Sequence, residues 1–387
     1  MTIIFLSDIS WSGLHQRPQH IALALAKHWR VIWVEPTTLL KKTHIRLVQV
    51  EPNIYILSVP AIPYNARLRF VQILARPLSY VGLFRYLVTL FQYVIIRRGL
   101  SLLDADQDQV GILINNFHLI HVVKKLRPSF IQFDYIDNAF GFTSLPRHVK
   151  NDWLTTIKLS DYITVTSPVL AEQIRPVRTE KIYHVGNGVE YSRFADHAKK
   201  NRPDDLPTGK PIVCYVGAVY QWLDYDLIKF TAQQMKNVCF VFIGPVHPQI
   251  ATKVEELKSC DNIFFLGFKS YSLLPGYLQH MDVGIIPFQK NELTKSVNPV
   301  KLYEYSAAGK PTVATHFSDD LTTMRDKIFL AETKEEFVSQ IQTALRKSND
   351  AAFAGELRLF AREHDWHAKT SRIVQLVREH ARSGTLS

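Results

Sequence analysis

The sequence predicts an α/β protein built of two doubly wound parallel-sheet domains that face one another across a cleft. Three observations predict it. Short apolar runs alternate with longer helical patterns along the whole chain. The runs are almost continuously apolar, as strands of a parallel sheet covered on both faces are. A polar stretch, "ADHAKKNRPDDLPTGK", divides the runs into two series with the composition of a linker. The size agrees: a chain of 387 residues, 47% hydrophobic, buries roughly 70–75% of its unfolded surface, usually in two domains. The expected division is residues 1–198 and 199–365, with a last amphipathic helix at about 366–387 packing back on the first domain.

In the first series, "TIIFLSD", "RVIWVEP", "VGILINN", "SFIQFDY" and "YITVTS" read as strands. The N-terminus lacks a basic region and a long apolar core, so it reads as a buried strand rather than a signal peptide. "RPQHIALALAKHW", an arginine-rich stretch and "RHVKNDWLTTIKLS" read as the intervening helices, and "KIYHVGNGVEYSRF" closes the series. Ligands of open α/β sheets bind beyond the carboxyl ends of strands, so the segments following strands hold the candidates. After the first strand come Trp11, Gly13, His15, Arg17 and His20. Gly13 permits a tight turn, Trp11 offers a face for a sugar, and Arg17 precedes Pro18 at a helix start, a place that favours anions. His20 has a plain alternative as a packing residue. His118 follows a later strand. Asp134 and Asp137 end the run "FIQFDYIDN" and are candidate general bases, with helix capping as the plain alternative. "DADQD", Asp104 to Asp108, precedes a strand and reads as a solvated loop.

The second series runs "PIVCYVGAV", "CFVFIGPV", "IFFLGF", "VGIIPF", "PTVAT" and "IFLAET". Gly217 and Gly244 each follow a strand, where bare backbone can approach a phosphate. "FFLGFKS" offers backbone groups and Phe268 to a base. "SVNPVKLYEYSAAGKP" predicts a helix from about Val300 to Ala308, with Asn298 as a possible cap, Pro299 at its first position and Gly309 at its end. Its free N–H groups, its dipole and Lys301 together form an anion site. Glu304, one turn deeper, is placed to accept from a hydroxyl pair such as a ribose. A surface Lys–Glu pair three apart is the plain alternative.

The order of these pieces resembles the GT-B glycosyltransferases over nearly the whole chain. Within them it is similar to bacterial exopolysaccharide and cell-wall transferases: the teichuronic-acid type through "WSGLHQRPQH", and the xanthan β-glucuronosyltransferase through "SPVLAEQI" and "HVGNGVE". The resemblance implies two Rossmann-like domains, the first for acceptor and the second for a nucleotide sugar. It implies Lys301 on the donor pyrophosphate and Glu304 on the ribose, within a donor set of Gly217, Tyr220, Gly244, Phe268, Lys269, Ser296, Val297, Asn298, Lys301, Tyr303 and Glu304. The acceptor set is Trp11, Gly13, Arg17, His20 and His118. Asp137 matches the proposed base of the xanthan enzyme's group, which implies inversion, and no metal or other cofactor is expected. "GNGV" resembles the hinge segment of these enzymes. There is one departure: many retaining members carry Glu eight positions before the second Glu, where this chain has Ser296.

The net charge of +11 is uneven. From Lys41 to Leu100 there are nine Lys or Arg and one acid, Glu51. Within the aromatic-rich residues 64–100 the longest uncharged part, Tyr86 to Ile96, is 11 residues, against roughly 20 for a spanning helix. Residues 64–100 are therefore expected to lie on an anionic membrane surface or to pack as helices with snorkelling arginines. No nucleic-acid motif accompanies the charge. Three cysteines without metal spacing point to a reducing compartment. The expectation is a cytoplasmic glycosyltransferase, peripheral on the inner face of the cell membrane. It would use a nucleoside diphosphate sugar, UDP favoured over GDP, and a lipid-linked or polysaccharide acceptor. The alternatives are a sugar-nucleotide epimerase of the same fold and a non-catalytic subunit of a polysaccharide-assembly complex.

Overall fold

The computed structural model describes residues 1–13, 15–37, 47–60, 80–141, 147–196 and 201–383. Eight strands form the first sheet: β1 (Thr2–Leu6), β2 (Arg30–Thr37), β3 (Val48–Glu51), β4 (Ile54–Pro60), β5 (Val110–Ile114), β6 (Phe130–Tyr135), β7 (Tyr162–Val165) and β8 (Ile182–His184). Their order is β3-β4-β2-β1-β5-β6-β7-β8, all parallel except the antiparallel pair β3–β4. Six strands form the second: β9 (Ile212–Val216), β10 (Cys239–Ile243), β11 (Ile263–Gly267), β12 (Val283–Ile286), β13 (Thr312–Thr315) and β14 (Phe329–Ala331). The order β11-β10-β9-β12-β13-β14 is the doubly wound 3-2-1-4-5-6 arrangement.

β1, β5 and β9 are buried at every position, which is why they read as unbroken apolar runs. The hairpin β3–β4 is an element that the apolar runs do not announce. Its turn is made by Asn53 at φ +63°, and β3 is exposed along its whole length. Three cores result. One fills the second domain; the other two lie on opposite faces of the first sheet. The last helix, Trp366–Ser383, contributes Ile373, Val374, Leu376 and Val377 to one face of the first sheet.

The helix Gly82–Leu102 covers the other face with Gln92, Ile95, Ile96, Gly99 and Leu100. Its outer side exposes Leu83, Tyr86, Leu87, Leu90, Phe91 and Val94, so it is apolar on both sides. Residues 64–79 of the basic region lie outside the described residues. No described helix is long and apolar enough to cross a membrane.

The chain passes between the domains twice, and the two crossings are bonded to each other. The N–H of Val189 donates to His364 O (3.0 Å), and that of Trp366 donates to Val189 O (2.9 Å). A Cβ on Gly188 would stand 2.7 Å from His364 O, so the "GNGV" segment needs its glycine to let the crossings meet.

Candidate active site

Each sheet reverses its strand order at a switch point, between β1 and β5 in the first and between β9 and β12 in the second. Both open on one inter-domain cleft of about 810 Å³. Its first-domain wall is made by residues that follow β1, β5 and β6. Its second-domain wall is made by residues that follow β9 and β11 and by the start of the helix Val300–Ala307.

Of the residues expected from sequence, Gly13, Arg17, His20, His118 and Asp137 line the first wall, and Gly217, Phe268, Lys269, Val297, Asn298, Lys301 and Glu304 line the second. Gly217 adopts φ +144°, and a Cβ there would stand 2.5 Å from Lys301 Cε and 2.9 Å from Nζ. The lysine therefore lies directly over bare backbone, with its ammonium 5.3 Å from the Tyr215 ring and 5.6 Å from that of Phe288. Gly244 does not reach the cleft but supports it. Its φ is +149°, and a Cβ would stand 2.0 Å from Gly217 O.

Burial lowers the pKa of Lys301, opposed by Glu304 and Asp137. Burial pushes the Glu304 carboxyl up to about 7, with Lys301 opposing. Asp137 is open to the cleft, yet the enclosing walls push its carboxyl up to about 6; Asp8 raises it further, while Arg17 and Lys301 oppose. These charges face one another across the gap. No carboxylate lies within ion-pair distance of Lys301 among the described residues. An ammonium group and a helix start thus face open space, with carboxyls on either side. That arrangement can hold a doubly charged phosphate group and can take a proton nearby.

Several expected residues are occupied elsewhere. Arg17 is 2% exposed and grips Asp134 with two bonds (Nε–Oδ2 3.0 Å, Nη2–Oδ1 2.8 Å), while Nη1 donates to Gly186 O at 3.0 Å. Asp134 also accepts from Thr164 (2.6 Å) and Asn115 (3.1 Å). This buried fork ties two strand ends together and removes Asp134 as a reserve base. Asn298 is not a helix cap: Pro299 holds that position, and Asn298 Oδ1 accepts the Asn187 N–H (3.0 Å) across the domain boundary. Tyr303 is buried behind it, bonded to Asn298 and stacked on His364 at 4.8 Å. Ser296 is fully buried and donates to Leu293 O (3.0 Å). Tyr220 lies outside the cleft, against His247 and Gln249. Trp11 also lies outside it, with its ring edge on Trp33.

Lys269 stands at the cleft edge in an ion pair with Asp205 (2.6 Å), beside the exposed Phe268. His20 stacks on Trp366 at 4.7 Å, and burial holds its pKa down to about 3. His118 is held down to about 4, first by burial.

The cleft also contains residues that the motifs did not single out: Asp8, Asn115, Asn187 and Tyr271. Asp8 and Asn115 had a signal, since each is the polar residue that ends an apolar run. Asn187 lies in the "GNGV" segment, which was read only as a hinge, and Tyr271 had no signal; both reach the cleft only when the domains meet.

Residues 210–347 match the model of the family "Glycosyl transferases group 1". The Bacillus subtilis (strain 168) protein TuaH, named for teichuronic acid biosynthesis as a glycosyltransferase, is 28% identical over 246 residues, 60% of this chain and 61% of its own length. The match thus spans about three-fifths of that relative. Among solved structures, sucrose-phosphate synthase from Thermosynechococcus elongatus superposes with a TM-score of 0.74 at 16% identity, covering 98% of both chains. A trehalose-6-phosphate structure from E. coli bound with UDP-2-fluoro glucose gives 0.71 at 14%, covering 97% of this chain and 98% of that one. HepE of Anabaena in complex with UDP gives 0.64 at 16%, covering 98% and 100%. Residues 210–347 are thus a domain of the glycosyl transferases group 1 family, set in a chain of GT-B fold.

Proposed function

We propose that the protein transfers a glycosyl group from a nucleoside diphosphate sugar, UDP favoured over GDP, to a lipid-linked saccharide in cell-surface polysaccharide synthesis. One observation carries the reading: Lys301 lies over the bare backbone of Gly217 at a helix start, in the same cleft as Glu304 and the solvent-open Asp137. The likeness to TuaH and to structures holding UDP and UDP-2-fluoro glucose supports it.

The helix start and Lys301 take the charge of the departing diphosphate, a task this reading does not assign to a divalent ion. Glu304 accepts from the ribose hydroxyls and Phe268 covers the base. The acceptor oxygen attacks the anomeric carbon, the bond from that carbon to the diphosphate oxygen breaks, and Asp137 takes the acceptor's proton. One displacement at one centre inverts its configuration. A sugar donor has room, since the cleft volume lies in the usual range for ligand sites.

The protein works peripherally at the inner face of the cell membrane. The exposed stripe of the helix Gly82–Leu102, with Arg97 and Arg98 in its last turns, supports an anionic lipid surface as partner. The test is calorimetric titration with UDP, GDP and their sugars. UDP is expected to bind, and Lys301→Ala to weaken it about ten- to a hundred-fold, the worth of a charge-assisted contact. If no nucleotide binds, the reading is wrong.

A further inference from the structure

We propose that Arg85, His121 and Lys125, at the outer rim of the first domain, form the subsite for the diphosphate of a lipid carrier, placed between the apolar stripe and the cleft. The inference rests on the reading of a lipid-linked acceptor and adds where its headgroup is held.

The cluster is a meeting of three helices. Arg85 belongs to the helix Gly82–Leu102, His121 and Lys125 to the helix Ile120–Leu126, and Asp152 to the helix Arg147–Leu159. Arg85 Nη2 lies 3.0 and 3.2 Å from the two Asp152 oxygens and 3.0 Å from His121 Nε2, which itself lies 2.9 Å from Asp152 Oδ1. All of these contacts use one guanidinium nitrogen. Among the described residues only Nη2 is bonded, and the planar fork of an arginine suits a phosphate. The Arg85 side chain is a quarter exposed and that of His121 40% exposed, whereas that of Asp152 is 6% exposed. Approach is therefore from the cationic side. Lys125 adds its ammonium 4.9 Å from the Tyr86 ring, on the same flank. Among the described residues, Asp152 is the carboxylate that pairs with Arg85 and His121 and acts on His118 and His148.

Position supplies the rest of the argument. Arg85 is flanked by Leu83, Tyr86 and Leu87 of the exposed stripe, and Tyr80 just before it meets His148 edge-on at 5.5 Å. On the inner side, His118 of this cluster lines the cleft that holds Asp137. A lipid tail along the stripe, a diphosphate at Arg85 and a saccharide passing His118 toward Asp137 form one continuous path.

The test is calorimetry on the full chain in saturating UDP, with farnesyl diphosphate, farnesol and inorganic diphosphate as probes. Farnesyl diphosphate is expected to bind at least about tenfold tighter than either of the others. Arg85→Gln and His121→Gln are each expected to weaken it about tenfold while leaving farnesol and UDP unchanged. Lys125→Gln, on an accessible side chain, replaces Arg85→Gln if that variant fails to fold. The subsite is refuted if farnesyl diphosphate binds no tighter than farnesol or inorganic diphosphate, or if these variants leave it unaffected. UDP binding in the same samples keeps the two ideas apart, because its absence sinks the donor reading rather than this one.

Discussion

Asp137 has the properties of a working base at neutral pH. Its carboxyl is raised to about 6, by the enclosing walls first and then by Asp8, so it is mostly ionised at pH 7 yet still basic enough to hold a proton. The sign follows from which form acts. The base must be deprotonated, so kcat/KM should fall as the pH drops through about 6 and level off above about 7. Asp8→Asn removes a like charge and should move that acid limb to lower pH. Asp137→Asn should lower kcat by ~10²-fold or more with UDP binding retained. A rate profile flat from pH 5 to 8, or a fully active Asp137→Asn, would exclude the role. The place of Asp137 in the cleft was legible because a polar residue ending an apolar run faces a switch point. Asn298 and Arg17 were legible only as positions. Their partners, Asn187 and Asp134, stand 111 and 117 residues away, and nothing local announces such a pairing.

Among the elements, the helix Gly82–Leu102 departs furthest from ordinary patterning. An outer helix usually shows one apolar stripe, but this one buries Ile95, Ile96 and Leu100 and also exposes Leu83, Leu87, Leu90 and Val94 along a second row. Such a patch on a folded surface marks a contact with something apolar. If that contact is a bilayer, Leu87→Asp combined with Phe91→Asp should cut binding to vesicles rich in anionic lipid by about tenfold or more, each buried apolar side chain being worth roughly 1.5–3 kcal/mol. Both side chains are more than half exposed, so the thermal midpoint should hold. Unchanged co-sedimentation with vesicles would rule out this face. The sequence pattern showed the helix and its charge asymmetry but not which row faces outward, because both rows are apolar. The hairpin β3–β4 escaped notice for a related reason. β3 is exposed throughout, so burial never stamped an apolar run on it, and its turn rests on a single left-handed Asn53.

At the scale of the whole molecule, the two parallel sheets could be read from sequence because their central strands are buried at every position, whereas the cleft depends on how the chain closes. The chain returns to the first domain for its last helix, and the returning segment is bonded at Val189 and His364 to the outgoing one. Trp366, the first residue of that helix, stacks on His20 of the cleft wall. The helix is therefore a part of the first domain that is supplied from the far end of the sequence. Removing it would take away Ile373, Val374, Leu376 and Val377, all at most 6% exposed, and uncover their partners Ile21, Leu25 and Phe5. At about 1.5–3 kcal/mol for each buried aliphatic side chain, those four contribute ~6–12 kcal/mol. That approaches the entire stability of an ordinary domain, about 5–15 kcal/mol. A chain truncated after Asp365 should therefore leave the second domain folded and the first one not. A thermal scan should lose the first domain's transition, and proteolysis should leave a protected fragment covering residues 210–347. Adding the 366–387 peptide should restore the first domain in proportion to its concentration, as expected for a ligand that binds only the folded state. If the truncated protein instead melts in the native manner and still binds UDP, the helix is an accessory, and the cleft does not depend on the chain's return.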